Sequence, residues 1–479
     1  MARSVEISSE KEYSEKDSFT TERARVWPQV LACLIASLGA FTQGILFSWT
    51  SPFIVKIAQD KVNYNISEEE AARLPTIQPL TVLLTSLIFF KLPDIIGRKK
   101  TLLLISIPHI LSFITAAVAR SIYVFYLSRV FSGLANGFLW TALPMYIGEV
   151  TCPKIRGLCG TLITTAIFVG QLAVNVVGSY CDVATTSYIF MPVSILFVIL
   201  FAFMPETPYY YLIKKDYGAA RRSLIFLTRK KNVVDDLNNL KSDVDRQMSE
   251  TGTWKDLVVI ESNRNALFCA VFLRVSQSYS GISVFIQYTQ YIFLKAGGNV
   301  SPQMASIIYS ILCVVITLLV TLFVVSKFGR KPLYSNSSVL CSIILAVMAV
   351  YFYLEQFVPT FDISSLSWLP ITSLVTYQVC SCFGVAIIPS IMLGELFSAS
   401  VKSKAVATMT FVNSGGIFLA NATFNFLSSV GGSYAPFLFF AICTAATAVV
   451  TRFVVPETKD KTLEEIQMNL KKSVENESV

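Results

Sequence analysis

The sequence predicts an all-α membrane protein of twelve transmembrane helices, six on each side of a charged central segment. Three observations carry this prediction. The composition is 53% hydrophobic and only 15% charged over 479 residues, which excludes an ordinary soluble domain. The stretches 26–55, 157–181, 363–394 and 405–451 contain no charged residue, and each is at least as long as the roughly 20 residues that cross a bilayer. Finally, Gly97-Arg98-Lys99 and Gly329-Arg330-Lys331 place the same turn after an apolar segment once in each half, so the chain reads as a duplication.

Taken in order, spans are expected near 28–55, 74–91, 101–119, 121–147, 157–180 and 185–204 in the first half. The second half should hold 266–294, 304–326, 333–354, 366–394, 403–426 and 434–455. Gly431, Gly432 and Ser433 divide the last long apolar run, as a tight turn at a membrane surface would. This gives five regions: a polar tail over 1–25, a six-helix unit over 26–205, a linker over 206–264, a second six-helix unit over 265–456 and a tail over 457–479. Ala219, Leu224, Leu227 and Leu237 give the linker helical spacing, so short amphipathic helices are expected there.

Basic residues mark the loops after spans two, four, eight and ten: Arg98 to Lys100, Lys154 and Arg156, Lys327 to Lys331, and Lys402 with Lys404. The positive-inside rule makes these loops and both termini cytoplasmic. The net charge of +8 is therefore dispersed over membrane-edge loops, which disfavours a nucleic-acid partner. The N-terminal tail lacks a short apolar core with a cleavage site, so the first span is expected to act as the anchor. The ten cysteines show no ligand spacing and read as buried thiols, with neither metal nor cofactor implied. His109 is the single histidine, and packing is a more ordinary use for it than proton transfer. No span or loop assembles a nucleophile with a base, so an enzyme is not expected.

Two further signals repeat. Glu149 precedes Arg156 by seven residues, and Glu395 precedes Lys402 by the same interval. Pro205-Glu206-Thr207 and Pro456-Glu457-Thr458 each follow the sixth span of their half. With these pairs in register, the chain resembles the sugar porters of the major facilitator superfamily over nearly its whole length, and most of all their insect trehalose and animal glucose facilitator branch. The resemblance implies two six-helix bundles around a central cavity that opens to each side in turn.

It also implies site residues. Asp94, Arg98, Glu149 and Arg156, with Arg330, Glu395 and Lys402, match the family's cytoplasmic latch, which would bridge the two bundles when the cavity faces outward. Ser326 and Lys402 depart from the usual acidic residue and arginine, which weakens that latch. In span seven, Gln277, Ser278, Ser283 and Gln287 occupy the family's sugar-binding motif, joined by Thr164 in span five and Asn413 in span eleven. Ser390 and Ser414 replace two tryptophans, which opens volume for a disaccharide or a ligand other than a simple hexose. For Gln277, Gln287 and Asn413, the bland alternative is hydrogen bonding between helices.

Leu46 stands where proton-coupled relatives carry an aspartate, so the expected mechanism is facilitated diffusion by a monomer in the plasma membrane. A sugar sensor and a proton symporter remain the alternatives. Arg129 is expected to bond backbone and hydroxyl groups. Among the Asn-x-Ser/Thr sites, Asn65 alone combines an outer loop with distance from a membrane edge, and Asn299, Asn336, Asn421 and Asn476 do not.

Overall fold

The computed structural model describes residues 25–249, 252–297, 300–323, 328–358, 366–398, 400–459, 461 and 463–472. Every regular element among them is a helix. The first half contains α1 (Trp27–Gln59), α2 (Leu74–Phe89), α3 (Arg98–Val118), α4 (Ile122–Val150), α5 (Pro153–Tyr180) and α6 (Val183–Ala202). The second contains α7 (Glu261–Gln287), α8 (Pro302–Phe323), α9 (Arg330–Phe357), α10 (Leu369–Leu396), α11 (Lys402–Gly431) and α12 (Tyr434–Val454). Between them lie Pro208–Ile213, Tyr217–Thr228, Val234–Ser249 and Asp256–Val259, four short helices. Leu212, Ala220 and Val244 form a small common core for the first three, whereas Leu257 of the fourth joins the main core.

Eleven of the twelve long helices are apolar enough to cross a membrane by composition alone. The exception is α11, and its side chains give the reason. It carries Thr408, Thr410, Asn413, Ser414, Asn421 and Asn425, several of which face the centre of the protein rather than lipid. On the periphery, Leu84, Ile107, Ile199, Ile343, Ile442 and Phe453 are exposed, which is the apolar coat a lipid-facing surface requires.

Two of these twelve helices are interrupted for more than one residue. The left-handed Gly281 (φ +86°) ends the first segment of α7, Glu261–Ser278, before Ile282–Gln287 resumes. In α10 the helix stops at Phe383 and restarts at Ile388. Such breaks free backbone carbonyls at membrane depth, where each must find a donor.

The Gly-Arg-Lys and Pro-Glu-Thr repeats prove to be one device. Glu206 accepts the Lys99 amide on both oxygens, each at 3.0 Å, and so caps the N-terminus of α3. A Cβ on Gly97 would lie 2.2 Å from that carboxylate, and its φ of +107° is strained for any side chain, so glycine is required here. The second half repeats the arrangement. Glu457 accepts from the amides of Arg330 at 2.9 Å and Lys331 at 3.2 Å, with Gly329 leaving the room. The two carboxyls differ in setting. Burial raises the Glu206 pKa above its ordinary value, whereas at Glu457 four backbone donors outweigh burial and lower it.

Candidate functional site: a central cavity with one closed end

A cavity of about 540 Å³ lies between the halves. Its wall takes Gln43 and Phe47 from α1, Gln78 from α2, Asn136 and Trp140 from α4, and Thr164 and Gln171 from α5. The second half contributes Arg274 from α7, Ser390 from α10, and Asn413 and Ser414 from α11. Most of the lining is apolar with a few polar groups, the usual make-up of a small-molecule site, and the volume lies within the customary range of roughly 300–1,000 Å³. The amide nitrogens of Gln43 and Gln78 and the amide oxygen of Asn136 are buried without a hydrogen-bond partner among the described residues. Such groups suit a polyhydroxylated ligand, because each one left unpaired costs about 1–3 kcal/mol.

Toward the end that carries the Gly-Arg-Lys turns, the cavity continues past Val406 and Thr410 to a mouth lined by Lys91, Asp94, Trp254 and Lys404. The opposite end is sealed by hydrogen bonds between the halves. Thr50 donates to the Gln287 carbonyl at 3.0 Å, Asn175 to Ser310 at 3.1 Å and Gln290 to Ser179 at 2.8 Å. Tyr288 donates to the Ala72 carbonyl at 2.7 Å, Asn421 to the Pro75 carbonyl at 3.1 Å, and Lys295 pairs with Glu68 at 2.6 Å. Around them Trp49, Phe53, Val284, Phe285 and Phe424 make a dry core that spans both halves.

Of the six candidate ligand contacts, Thr164 and Asn413 lie on the cavity wall. The other four do not. Gln277 donates to the carbonyls of Val385 at 3.0 Å and Ala386 at 2.9 Å, the very groups freed by the break in α10. Ser278 is buried against Gly416 and donates to the Arg274 carbonyl. Ser283 is half-buried outside the wall, and Gln287 belongs to the sealed end, where its side chain accepts from Asn421 at 3.2 Å. Gln277 and Gln287 thus bond between helices in this conformation, and the Gln287 amide nitrogen is buried without a hydrogen-bond partner among the described residues.

The latch residues gather in two clusters, one in each half. Arg98 pairs with Asp94 at 3.0 Å and Glu149 at 3.1 Å, and Thr207 donates to Glu149 at 2.6 Å. Arg330 pairs with Glu395 at 3.0 Å, and Thr458 donates to Glu395 at 2.5 Å. Each cluster lies within one half and does not bridge the two, because the start of one helix, the end of the next and the Pro-Glu-Thr segment converge there. Arg156 donates instead to the Thr151 carbonyl and Lys402 to the Gly394 carbonyl, so neither pairs with the carboxylate seven residues before it. Ser326 and Lys327 lie outside the described residues.

Sequence reasoning missed Gln43, Gln78, Asn136, Gln171 and Arg274. Polar side chains inside apolar runs were the available signal, and only three-dimensional convergence separates them from packing groups. His109 is wholly buried with its Nε2 3.3 Å from the Gln43 side-chain oxygen, one residue behind the wall. Arg129 donates to the Leu46 carbonyl at 2.9 Å and lies 4.3 Å from the Trp49 ring centre, so backbone and aromatic groups hold it in place of a carboxylate.

The family model described as "Sugar (and other) transporter" matches residues 32–470. The chain belongs to that family. The transporter is 30% identical over 473 residues to a facilitated trehalose transporter of Bombyx mori, covering 97% of this chain and 92% of that relative. It is 31% identical over 455 residues to another from Drosophila willistoni, covering 94% of this chain but about half (52%) of that longer protein. Among solved structures it resembles the inward-open xylose transporter XylE from E. coli, with a TM-score of 0.74 at 19% identity over 91% of this chain and 98% of that one. The XylE proton:xylose symporter bound to 6-bromo-6-deoxy-D-glucose gives 0.73 at 20% identity, covering 93% and 100%. At that distance the likeness is one of fold, and the fold is the twelve-helix one expected from the sequence.

The seal at the closed end offers a direct test of its strength. Tyr288→Phe removes two interhelical hydrogen bonds of about 0.5–1.5 kcal/mol each, the donation to the Ala72 carbonyl and the one accepted from Asn425, while leaving the ring packed on Phe424. With spin labels at Val62 and Val300, exposed on opposite halves at that end, the variant should populate the separated state several-fold more than the parent.

Proposed function

We propose that this transporter is a uniporter that moves a hexose or a trehalose-like disaccharide by alternating access, without a coupled ion. The cavity, open at one end and sealed at the other by bonds between the halves, carries the reading. The trehalose facilitators named among its relatives support the substrate class. Arg129 held by a carbonyl and a ring beside apolar Leu46 supports passive transport over proton coupling. The basic loops support a cytoplasmic open end and cytoplasmic termini, and in this reading the protein sits in the plasma membrane with this conformation facing inward.

Closing the inward mouth brings the latch ends of the halves together. In that motion Asp94, Arg98, Glu149, Arg330 and Glu395 act as rigid corners, and Arg156 and Lys402 supply cations for new contacts across the gap. Exposed pairs of about 0–1 kcal/mol each can be made and broken thermally. Thr164 and Asn413, with the four amides that line the cavity, read the hydroxyls. Asn65, exposed in the first loop of the sealed end, is the glycan acceptor, and Asn65→Gln should abolish any glycosidase-sensitive mass shift.

Proteoliposomes test the whole reading. Labelled trehalose or glucose should equilibrate across the membrane at a rate unchanged when the pH gradient is dissipated. Accumulation that collapses with the gradient would establish a symporter, and binding without flux would establish a sensor.

A further inference from the structure

The cavity holds a charge that a neutral sugar leaves unanswered. Arg274, on the first segment of α7, reaches the wall among side chains that are otherwise uncharged apart from Lys402 near the open end. Its guanidinium donates to the Gln277 side-chain oxygen at 2.9 Å and to the Ser390 hydroxyl at 3.3 Å, and its Nε has no hydrogen-bond partner among the described residues. Both partners are neutral.

The carboxylates nearest the path are already engaged. Asp94 and Glu149 are held by Arg98, and Glu395 by Arg330 and Thr458. Lys91 and Lys404 add further positive charge at the mouth. Among the described residues, the carboxylates nearest the route from mouth to floor pair with Arg98 and Arg330, and none of them bonds Arg274. An unpaired cation at membrane depth is costly, and a low-dielectric cleft of one sign concentrates ligands of the other.

Resting on the carrier reading above, we propose that the preferred ligand is an anionic sugar, a carboxylate-bearing monosaccharide of the uronic acid class, with Arg274 as its counter-ion. After those two bonds the guanidinium keeps further N–H donors in its plane, which suit the paired oxygens and the negative charge of a carboxylate. Gln43, Gln78, Asn136 and Gln171 face it across the cavity and would receive the ring hydroxyls. Ser390 and Ser414, small where the family carries indoles, leave space for the carboxyl group beside the arginine.

The test is equilibrium binding of labelled D-glucuronate and D-glucose to the purified full chain at neutral pH and fixed ionic strength. The wild type should bind glucuronate at least about tenfold more tightly than glucose. Arg274→Gln, which keeps polar donors at the site, should erase that preference, and Arg274→Lys should keep most of it. Thermal midpoints of the variants near that of the wild type verify folding. Equal or weaker binding of glucuronate by the wild type, binding of neither sugar, or a preference that survives in Arg274→Gln overturns the proposal. Flux run in parallel separates the two readings. Glucose transport without anion preference removes this inference alone, whereas an Arg274-dependent preference without flux of either sugar removes the carrier reading.

Discussion

Gly170→Val is expected to abolish the recovery of folded, monodisperse protein from membranes. Gly170 on α5 and Gly44 on α1 meet where the two helices press backbone to backbone. A Cβ on Gly170 would lie 2.1 Å from the Phe41 carbonyl oxygen, and one on Gly44 would lie 2.1 Å from the Ile167 carbonyl oxygen. Neither obstacle is a flexible side chain that can turn aside, so the helices must separate along their length. Small residues at such crossings are how membrane helices gain contact without a hydrophobic driving force. The penalty therefore lies above the ~1–3 kcal/mol typical of an overpacked core. Gly44→Val should fail in the same way, whereas Gly148→Ala, whose added Cβ meets nothing within 4 Å, should fold normally. Size-exclusion profiles after detergent extraction decide the matter, and a monodisperse Gly170→Val would show that α1 and α5 do not cross as described.

Arg98→Ala is expected to produce the largest loss of stability among the charged-residue substitutions. The Arg98 side chain is only 3% exposed and joins three acceptors: Asp94, Glu149 and the Pro93 carbonyl. Deleting one partner of a buried ion pair strands the other, at a cost of about 3–5 kcal/mol. Here the stranded group is Glu149, 15% exposed at the end of a membrane helix, which would keep only the Thr207 hydroxyl. Arg98→Lys should recover part of the loss, since an ammonium keeps the charge but cannot reproduce the planar fork with which the guanidinium reaches the three acceptors. In the second half Glu395 is 27% exposed, so Arg330→Ala should cost less. Thermal midpoints in detergent check the order Arg98→Ala, Arg330→Ala, Lys100→Ala, the last being near neutral. If Arg98→Ala matched Lys100→Ala, the α3–α4 corner would contribute little.

The architecture was legible because a bilayer leaves a strong imprint on sequence. Uncharged runs marked the spans, and α11 was placed by the same runs even though its amides, Asn413 on the cavity wall and Asn421 and Asn425 at the sealed end, lower its apolar character. The duplication was legible from three motif pairs, but their physical connection was not. Nothing in one dimension says that the carboxylate of Pro205-Glu206-Thr207 occupies the space left by Gly97.

The site was legible only in part, and Gln277 illustrates why. Its motif suggested a ligand contact, yet the break in α10 leaves the Val385 and Ala386 carbonyls in need of donors, and Gln277 supplies them. One turn earlier, Arg274 takes the place on the wall. Gln43, Gln78, Asn136 and Gln171 carried no periodic mark, because an amide within an apolar run looks the same whether it faces a ligand or a neighbouring helix.

The central claim is that the two halves tilt against each other so that one end of the cavity closes as the other opens. Pulsed electron-spin distance measurements test it most directly, with nitroxides on unnatural residues so that the ten native cysteines stay in place. One label pair at Val62 and Val300 reports the sealed end, and a second at Leu158 and Phe268, both exposed, reports the open end. In lipid nanodiscs with saturating transported sugar, each pair should show two distances, and conditions that lengthen the first should shorten the second. A single distance for both pairs under every condition, or changes of the same sign at both ends, would contradict alternating access.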